Sequence, residues 1–130
     1  MSEIPADHLD LLERPIVGHL GTVRPDGAVQ VNPMWFLFDG RRLRFTHNTR
    51  RAKYRNLQLD PAMTISINDP EQPYRYIELR GHLEEAIPDP TGAFYQELAR
   101  RYGNEKPEPP ADAADRVILV MAVDRVGGTQ

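Results

Sequence analysis

The chain has 130 residues, of which 40% are hydrophobic and 27% charged, and its formal net charge at pH 7 is −3. This size and composition predict one globular domain over residues 1–130, and the acidic balance excludes a general attraction to nucleic acid. The absence of cysteine excludes disulfide frameworks, thiol nucleophiles and cysteine-based metal sites.

No apolar run approaches the roughly 20 residues that a membrane-spanning helix needs, and no charged-then-apolar leader opens the sequence. We therefore expect a cytoplasmic protein with no membrane partner. The four histidines are scattered through the chain, and no pair has the spacing of metal ligands. No metal site is predicted.

The chain opens with a short predicted helix inside an N-terminal segment, residues 1–15. Asp7 is the expected N-cap of this helix, and Pro15 ends it. A strand is predicted over residues 16–23, and the turn RPDG connects it to the next strand.

The second predicted strand, residues 28–38, is long and apolar. Pro33 predicts a bulge or an unpaired stretch halfway along it. The segment PMWFLF is apolar on both faces, although one face of an antiparallel strand normally meets water. This pattern favours a second covering surface, and a homodimer interface is the economical interpretation. Trp35 and Phe36 are assigned to core or interface rather than to a cofactor.

The remainder of the chain alternates strands with two helices. The helices are predicted over residues 49–59, rich in basic side chains, and over 89–103, where Gly103 is the expected C-cap. A Pro/Ala/Asp-rich loop, residues 104–115, leads to the last strand. The strands of this part are predicted over residues 42–47, 62–68, 74–86 and 116–126.

Six strands joined mostly by short turns favour a closed antiparallel sheet over an α/β layer. Closure into a small barrel removes the exposed edge strands that invite aggregation. We therefore expect a mainly β protein, a six-stranded antiparallel barrel with two or three short helices.

The segment HNTRRAKYRN, residues 47–56, places cations at the start of a helix. Cations are disfavoured there by about 0.3–1 kcal/mol each, because the free N–H groups already carry partial positive charge. With Asn48 or Thr49 as N-cap, Arg50 and Arg51 fall in the first turn. One interpretation is a solvated helix with extended arginines. The other, favoured by the preceding strand and polar turn, is an anion site at the helix start.

Other candidate chemistry is sparse. Tyr74 and Tyr76 share a strand face and could stack on a planar ligand or fill the barrel mouth. His47 directly precedes the basic segment, where a local hydrogen-bonding role is expected. Because the sequence offers no nucleophile motif and no acid/base dyad, a cofactor must carry the reaction if the protein is an enzyme.

The sequence from GTVRPDG through RFTHNTRRAKYRNLQLDPAMTISI resembles the split-barrel flavin and deazaflavin oxidoreductases. It is most similar to their small actinobacterial branch that uses coenzyme F420, often labelled pyridoxamine 5′-phosphate oxidase-like. The most specific piece is RRAKYRNLQLDP, with the pattern R-x-K-x-x-N-L followed by D-P. The resemblance implies a six-stranded split barrel that forms a homodimer with the cofactor site at the subunit interface.

The resemblance also implies roles for ten residues. Arg51 and Lys53 would bind the cofactor phosphate, and Arg50 and Arg55 would support them. The ring system would be lined by a second group, namely Thr46, His47, Gln30 and Asn32. Tyr74 and Arg75 would come from the other subunit. The chain lacks the longer C-terminal segment of true pyridoxamine phosphate oxidases, which argues against oxidation of pyridoxamine phosphate.

The expected function is an oxidoreductase that transfers hydride between coenzyme F420 and a small unsaturated or electrophilic organic substrate. A polyglutamate tail on this cofactor would favour further cations, for which Arg24, Arg41 and Arg42 are candidates. Two alternatives remain. The same fold could hold FMN, or the protein could bind a flavin or tetrapyrrole without turnover.

Overall fold

The computed structural model describes residues 3–128, which form three α-helices and one antiparallel sheet of seven strands. The helices are α1 (Asp10–Glu13), α2 (Ala52–Leu59) and α3 (Ala93–Arg101). The strands are β1 (Gly18–Val23), β2 (Val29–Met34), β3 (Leu37–Phe38), β4 (Leu43–Asn48), β5 (Ala62–Asn68), β6 (Tyr76–Pro88) and β7 (Arg116–Gly128).

The sheet curls because its two edge strands are neighbours in the chain. Its order is β2-β1-β5-β6-β7-β4-β3, so β2 and β3 lie at opposite edges. Only two residues separate Met34, which ends β2, from Leu37, which begins β3. Three chain steps span at most about 11 Å, so the edges must approach each other. The result is the predicted split barrel, a mainly β fold with short helices.

The predicted second strand is broken, and this raises the number of strands from the expected six to seven. Pro33 itself stays paired with His19 on the edge strand β2, and the interruption falls at Trp35 and Phe36. Pro33 is tolerated there because only one of its sides needs ladder hydrogen bonds.

Part of the apolar segment around the break is covered within the chain itself. Phe36 is fully buried in the core, and the Trp35 ring stacks on Tyr102, with centroids 5.1 Å apart and an interplanar angle of 9°. Helix α3 and its C-cap residue Tyr102 therefore cover part of this segment, and the homodimer interface expected for it stays a prediction.

The barrel interior holds one hydrophobic core. Its largest fully buried side chains come from every long strand except β2, among them Leu20, Phe45, Ile65, Leu79 and Leu119. The alternation predicted for the strand near residue 76 is confirmed, because Ile77 and Leu79 are buried while the intervening positions are not. The core therefore fixes which face of each strand is available for a site.

Strand β6 changes register twice against β7, at Arg80/Gly81 and at Leu83/Glu85. A Cβ atom at position 81 would collide with the carbonyl oxygen of Ala122, so only glycine fits this bulge. The bulge bends the two longest strands around the core and helps the sheet to curl.

The N-terminal helix differs from its prediction. Residues Ala6–His8 form a 3-10 turn whose N-cap is Pro5, and α1 follows directly after Leu9. The prediction of Asp7 as N-cap is therefore wrong, and its carboxylate instead lies 3.0 Å from the ring of His8. The C-terminal prediction for α3 is confirmed in substance. Gly103 follows the cap residue with a φ of 105°, a value that favours glycine.

Within residues 3–128, no helix is long and apolar enough to cross a membrane.

Candidate functional site

A cavity of about 610 Å³ opens where β2, the end of β4, the start of α2 and the start of β7 meet. Its lining combines amide, hydroxyl, imidazole and cationic side chains with a small apolar patch. The lining residues are Gln30, Asn32, Pro33, Met34, Thr46, His47, Arg51, Ala52, Lys53 and Arg116. Six of the ten sequence-predicted site residues are therefore gathered in one cavity.

Helix α2 begins three residues later than predicted. Its N-cap is Arg51, in an extended conformation, so Arg50 and Arg51 precede the helix and only Lys53 lies in its first turn. Asn48 does not cap the helix, but its Oδ1 atom accepts hydrogen bonds from the backbone N–H groups of Arg50, at 3.2 Å, and Arg51, at 3.1 Å. No acidic residue occupies the first turn. The helix start therefore keeps its positive potential.

Lys53 is the most unusual cation of the site, since only 6% of its surface is exposed. Its Nζ atom lies 3.2 Å from the sulfur of Met34, a weak acceptor. Burial, reinforced by the charge of Arg51, lowers the pKa of Lys53 to about 8. Within residues 3–128, no carboxylate lies in ion-pair range of either Lys53 or Arg51. A buried cation without a counter-ion favours binding of an anion.

The end of strand β4 contributes two buried polar side chains to the cavity. The Oγ1 atom of Thr46 and the Nε2 atom of His47 are both buried and have no hydrogen-bond partner in the described part of the chain. Burial, followed by the positive charges of Lys53 and Arg51, lowers the pKa of His47 to about 4, so its ring is neutral at pH 7. Both residues line the cavity, and unsatisfied buried polar atoms at such a place favour a ligand that supplies the missing bonds.

Arg116 also lines the cavity, although it was not predicted from the sequence. It begins β7 and lies directly opposite Asn48 of β4 in the sheet. Its guanidinium carbon lies 4.7 Å from the centre of the Tyr95 ring, and its Nε atom lies 3.1 Å from the Oδ1 atom of Asp112. No local pattern could have identified it, because its place depends on the pairing of two strands nearly 70 residues apart in the chain.

Asp112 connects Asn48 and Arg116 at this side of the cavity. Its Oδ2 atom accepts a 2.6 Å hydrogen bond from the side-chain amide of Asn48, which lowers the pKa of the carboxyl group. Because Asn48 also binds the backbone ahead of α2, the predicted loop 104–115 is tied to the start of the basic helix. The loop therefore helps to position the backbone of Arg51.

Two side-chain amides form the opposite wall, and a third lies behind them. Gln30 and Asn32 of β2 are joined by a 3.3 Å hydrogen bond from Gln30 Nε2 to Asn32 Oδ1. Behind them, Asn56 of α2 donates from Nδ2 to Gln30 Oε1, also at 3.3 Å. Gln30 and Asn32 line the cavity, whereas Asn56 does not.

Four predicted site residues lie outside the cavity lining. Arg50 is exposed and pairs with Asp115 at 2.8 Å, and Arg55 donates to the carbonyl oxygen of Arg50 at 2.8 Å. Tyr74 is 91% exposed. The four are Arg50, Arg55, Tyr74 and Arg75.

Arg75 is engaged within its own chain. Its guanidinium group binds both carboxylate oxygens of Asp10, at 2.5 and 3.2 Å, and Asp69 at 3.1 Å. These bonds raise the pKa of Arg75 and tie α1 to the turn before β6. The candidate tail-binding arginines are likewise absent from the lining: Arg42 pairs with Glu84 at 2.7 Å and Arg24 with Asp26 at 3.7 Å.

The curled antiparallel sheet with a cationic, amide-lined cavity defines a split-barrel protein whose candidate site favours an anionic ligand. Residues 4–130 match the pyridoxamine 5′-phosphate oxidase family. This chain belongs to that family, which is the pyridoxamine 5′-phosphate oxidase-like split-barrel family expected from the sequence. No curated protein was found to match the chain.

Solved structures agree with this assignment. The chain is 56% identical to a protein named F420 Reductase, with a TM-score of 0.92 over 95% of this chain and 98% of the other. Two more distant structures share the fold alone. The HupZ protein of Group A Streptococcus is 18% identical with a TM-score of 0.70, covering 98% of this chain and 95% of its own. A conserved hypothetical protein from Mycobacterium tuberculosis is 20% identical with a TM-score of 0.73, covering 97% and 84%.

The family and the 56%-identical structure both carry the names of redox enzymes. These names support an oxidoreductase as the class of this chain.

Proposed function

We propose that this protein is an oxidoreductase that uses coenzyme F420 to transfer hydride to or from a small unsaturated or electrophilic organic molecule. The observation that carries the proposal is the pair of cations Arg51 and Lys53, which have no carboxylate within ion-pair distance among residues 3–128. They line one cavity together with two residues whose buried polar atoms have no hydrogen-bond partner there. An anionic, partly planar ligand would satisfy all of these groups together.

The phosphoryl group of the cofactor is assigned to the start of α2. There the Lys53 ammonium and the Arg51 guanidinium adjoin the free N–H groups of the first helical turn, which favour an anion. Arg116 borders the same cavity and adds a third cation, although Asp112 offsets its charge. Arg50 and Arg55 would act less directly, by adding positive potential at the surface.

The ring system is assigned to the space between β2 and the end of β4. Thr46 and His47 would complete hydrogen bonds to the ligand through Oγ1 and Nε2. Because His47 is neutral at pH 7, its Nε2 atom can either donate or accept a hydrogen bond without adding charge. Gln30 and Asn32 would meet the polar edge of the ring.

The deazaflavin supplies the hydride chemistry when it is bound. The chain's own residues would hold it in one orientation and exclude water from the reacting face, since the lining includes Pro33 and Met34 beside the polar groups. No residue is assigned as proton donor.

FMN is the second candidate cofactor, favoured by the family to which the chain belongs. Both cofactors carry a phosphoryl group and a tricyclic ring, so the cations at the helix start accept either. The 56% identity to the F420 Reductase structure over nearly the whole chain supports F420 over FMN.

We also propose that the protein acts as a homodimer with the cofactor site at the subunit interface. Two valines on the outer face of the edge strand β2 support this, since Val29 is 69% exposed and Val31 is 59% exposed. Tyr74, almost fully exposed, would be supplied by the partner subunit. Arg75 would join it only by giving up bonds to Asp10 and Asp69.

The experiment is a titration of the purified protein with F420 and with FMN, followed by a hydride-transfer assay. Absorbance identifies the bound cofactor, because FMN absorbs in the blue and the deazaflavin at shorter wavelength. We expect tighter binding of F420 and oxidation of reduced F420 by an acceptor from a panel of enones and quinones. Tight binding without any transfer would instead favour a carrier protein, and failure to bind either cofactor would contradict the proposal.

A further inference from the structure

We propose that Asn56, which lies behind the cavity wall, is a positioning residue that determines which hydrogen-bonding group Asn32 presents to the ligand. The inference rests on the proposed function, because it concerns how the polar edge of the ring system is recognised. It assigns this recognition to a relay of three side-chain amides, Asn56, Gln30 and Asn32.

The relay has a direction. Asn56 Nδ2 donates to Gln30 Oε1 at 3.3 Å, and Gln30 Nε2 donates to Asn32 Oδ1 at 3.3 Å. Each amide has an oxygen on one side and an NH₂ group on the other. Once Asn56 presents its NH₂ group, the orientation of Gln30 follows, and that of Asn32 follows from Gln30.

The last amide of the relay meets the cavity. With its oxygen engaged by Gln30, Asn32 has its NH₂ group left for a ligand in the cavity that it lines. The wall therefore offers a hydrogen-bond donor, which suits a ligand edge that presents a carbonyl oxygen or an unprotonated ring nitrogen. A ligand edge that presents only N–H donors would be disfavoured at this NH₂ group, because two donors would face each other.

Asn56 is well placed to control the relay. Only 5% of its surface is exposed, and it lies on α2, the same helix that carries Lys53. It does not line the cavity, and its side-chain hydrogen bond to Gln30 connects it to the cavity wall. The helix that binds the phosphoryl group would in this way also orient the amides that read the ring edge.

The test is Asn56→Asp, a replacement of nearly identical shape. An ionised carboxylate can only accept, so Gln30 would turn its NH₂ group toward position 56 and its oxygen toward Asn32. Asn32 would then turn in the same way and present its oxygen to the cavity. We expect the affinity for F420, or for FMN if that binds instead, to fall about tenfold, the loss expected for one hydrogen bond.

The matched control is Gln58→Glu, which adds the same charge to an exposed position of the same helix. We expect it to change the affinity less than twofold. Thermal unfolding of each variant separates loss of binding from loss of folding. If Asn56→Asp does not fold, Gln30→Glu makes the equivalent inversion from the next position of the relay.

A double-mutant cycle with Asn32→Ala supplies the readout that a purely structural role would not move. In the Asn32→Ala background, Asn56→Asp should have almost no further effect on affinity, since no amide remains to be turned. An undiminished tenfold loss in that background would overturn the relay, as would wild-type affinity of Asn56→Asp alone. If the wild-type protein binds neither cofactor, the proposed function fails rather than the relay.

Discussion

The ammonium group of Lys53 lies 3.2 Å from the thioether sulfur of Met34, at a depth where only 6% of the lysine is exposed. A thioether is a weak acceptor and carries no charge, so it compensates little of the cost of burying a cation. This contact supports the proposal that a ligand, rather than a side chain of residues 3–128, is the counter-ion of Lys53.

The affinity for a phosphorylated cofactor should therefore depend on pH through Lys53. In the free protein the pKa of Lys53 is about 8, against the usual 10.5, and a bound phosphoryl group would raise it again. Binding then takes up a proton above pH 8, so affinity should be constant from pH 7 to 7.5 and fall as pH rises through 8. The slope should approach one tenfold loss per pH unit.

The control for this dependence is Lys53→Arg, which keeps the positive charge and does not titrate in this range. Dissociation constants measured by fluorescence from pH 7 to 9.5 should show the inflection near pH 8 in the wild type and none in the variant. An identical inflection in both proteins would assign it to another group.

The burial of neutral His47 should make the free energy of unfolding sensitive to acid. Its pKa is about 4 in the folded protein and near 6.5 when unfolded, so the unfolded chain binds the proton first as pH falls. The free energy of unfolding should thus decrease between pH 6.5 and pH 5, by about 1.5 kcal/mol from this residue. Urea unfolding of the wild type and of His47→Gln at both pH values isolates the effect.

His19→Gln is the matched control for His47, because it replaces an exposed histidine of strand β1. It should leave the pH dependence of the unfolding free energy as in the wild type. The assignment to His47 would be refuted if His47→Gln kept the full acid sensitivity.

Asp112 should matter for stability although it does not line the cavity. Asp112→Ala removes the acceptor of the 2.6 Å bond from Asn48 and leaves Arg116 without its carboxylate neighbour. We expect a loss of about 1–3 kcal/mol in the free energy of unfolding. Glu108→Ala, an exposed position of the same loop, should change it by less than about 0.5 kcal/mol in chemical denaturation. Equal effects would refute the structural role of Asp112.

Arg101 connects the end of helix α1 to the break between strands β2 and β3. Its guanidinium group donates to four backbone carbonyl groups, at 2.8–3.2 Å, belonging to Leu12, Glu13, Arg14 and Phe36. Arg101→Lys keeps the charge but cannot reproduce this fork, so we expect about 2–4 kcal/mol of destabilisation. Arg100→Lys changes the exposed neighbour and should be nearly neutral. Thermal unfolding of the two variants compares them directly, and similar midpoints would argue against the fork.

Much of the fold was predictable because its signals are local. The alternation at Ile77 and Leu79, the glycine after α3 and the hairpin turns each depend on a few neighbouring residues. The break at Trp35 and Phe36 was not predictable in the same way. It depends on the opposite edges of the sheet meeting, and on α3 covering the stacked Trp35 ring.

The residues of the candidate site likewise divide into those predictable from local sequence and those that depend on long-range pairing. One short stretch of the sequence, residues 46–53, contains Thr46, His47, Arg51 and Lys53. All four line the same cavity in the structure. Arg116 joins this cluster only through the pairing of β7 with β4. The engagement of Arg75 by Asp10 likewise depends on contacts between segments 65 residues apart.

The central claim is that the cations at the start of α2 bind the phosphoryl group of a redox cofactor, and titration of Arg51→Ala and Lys53→Ala with F420 and FMN tests it most directly. Lys106→Ala, an exposed lysine outside the cavity, serves as the control. We predict that each cavity variant loses at least tenfold in affinity for the cofactor that the wild type binds, while Lys106→Ala binds as the wild type does. Unchanged affinity in both cavity variants would contradict the account.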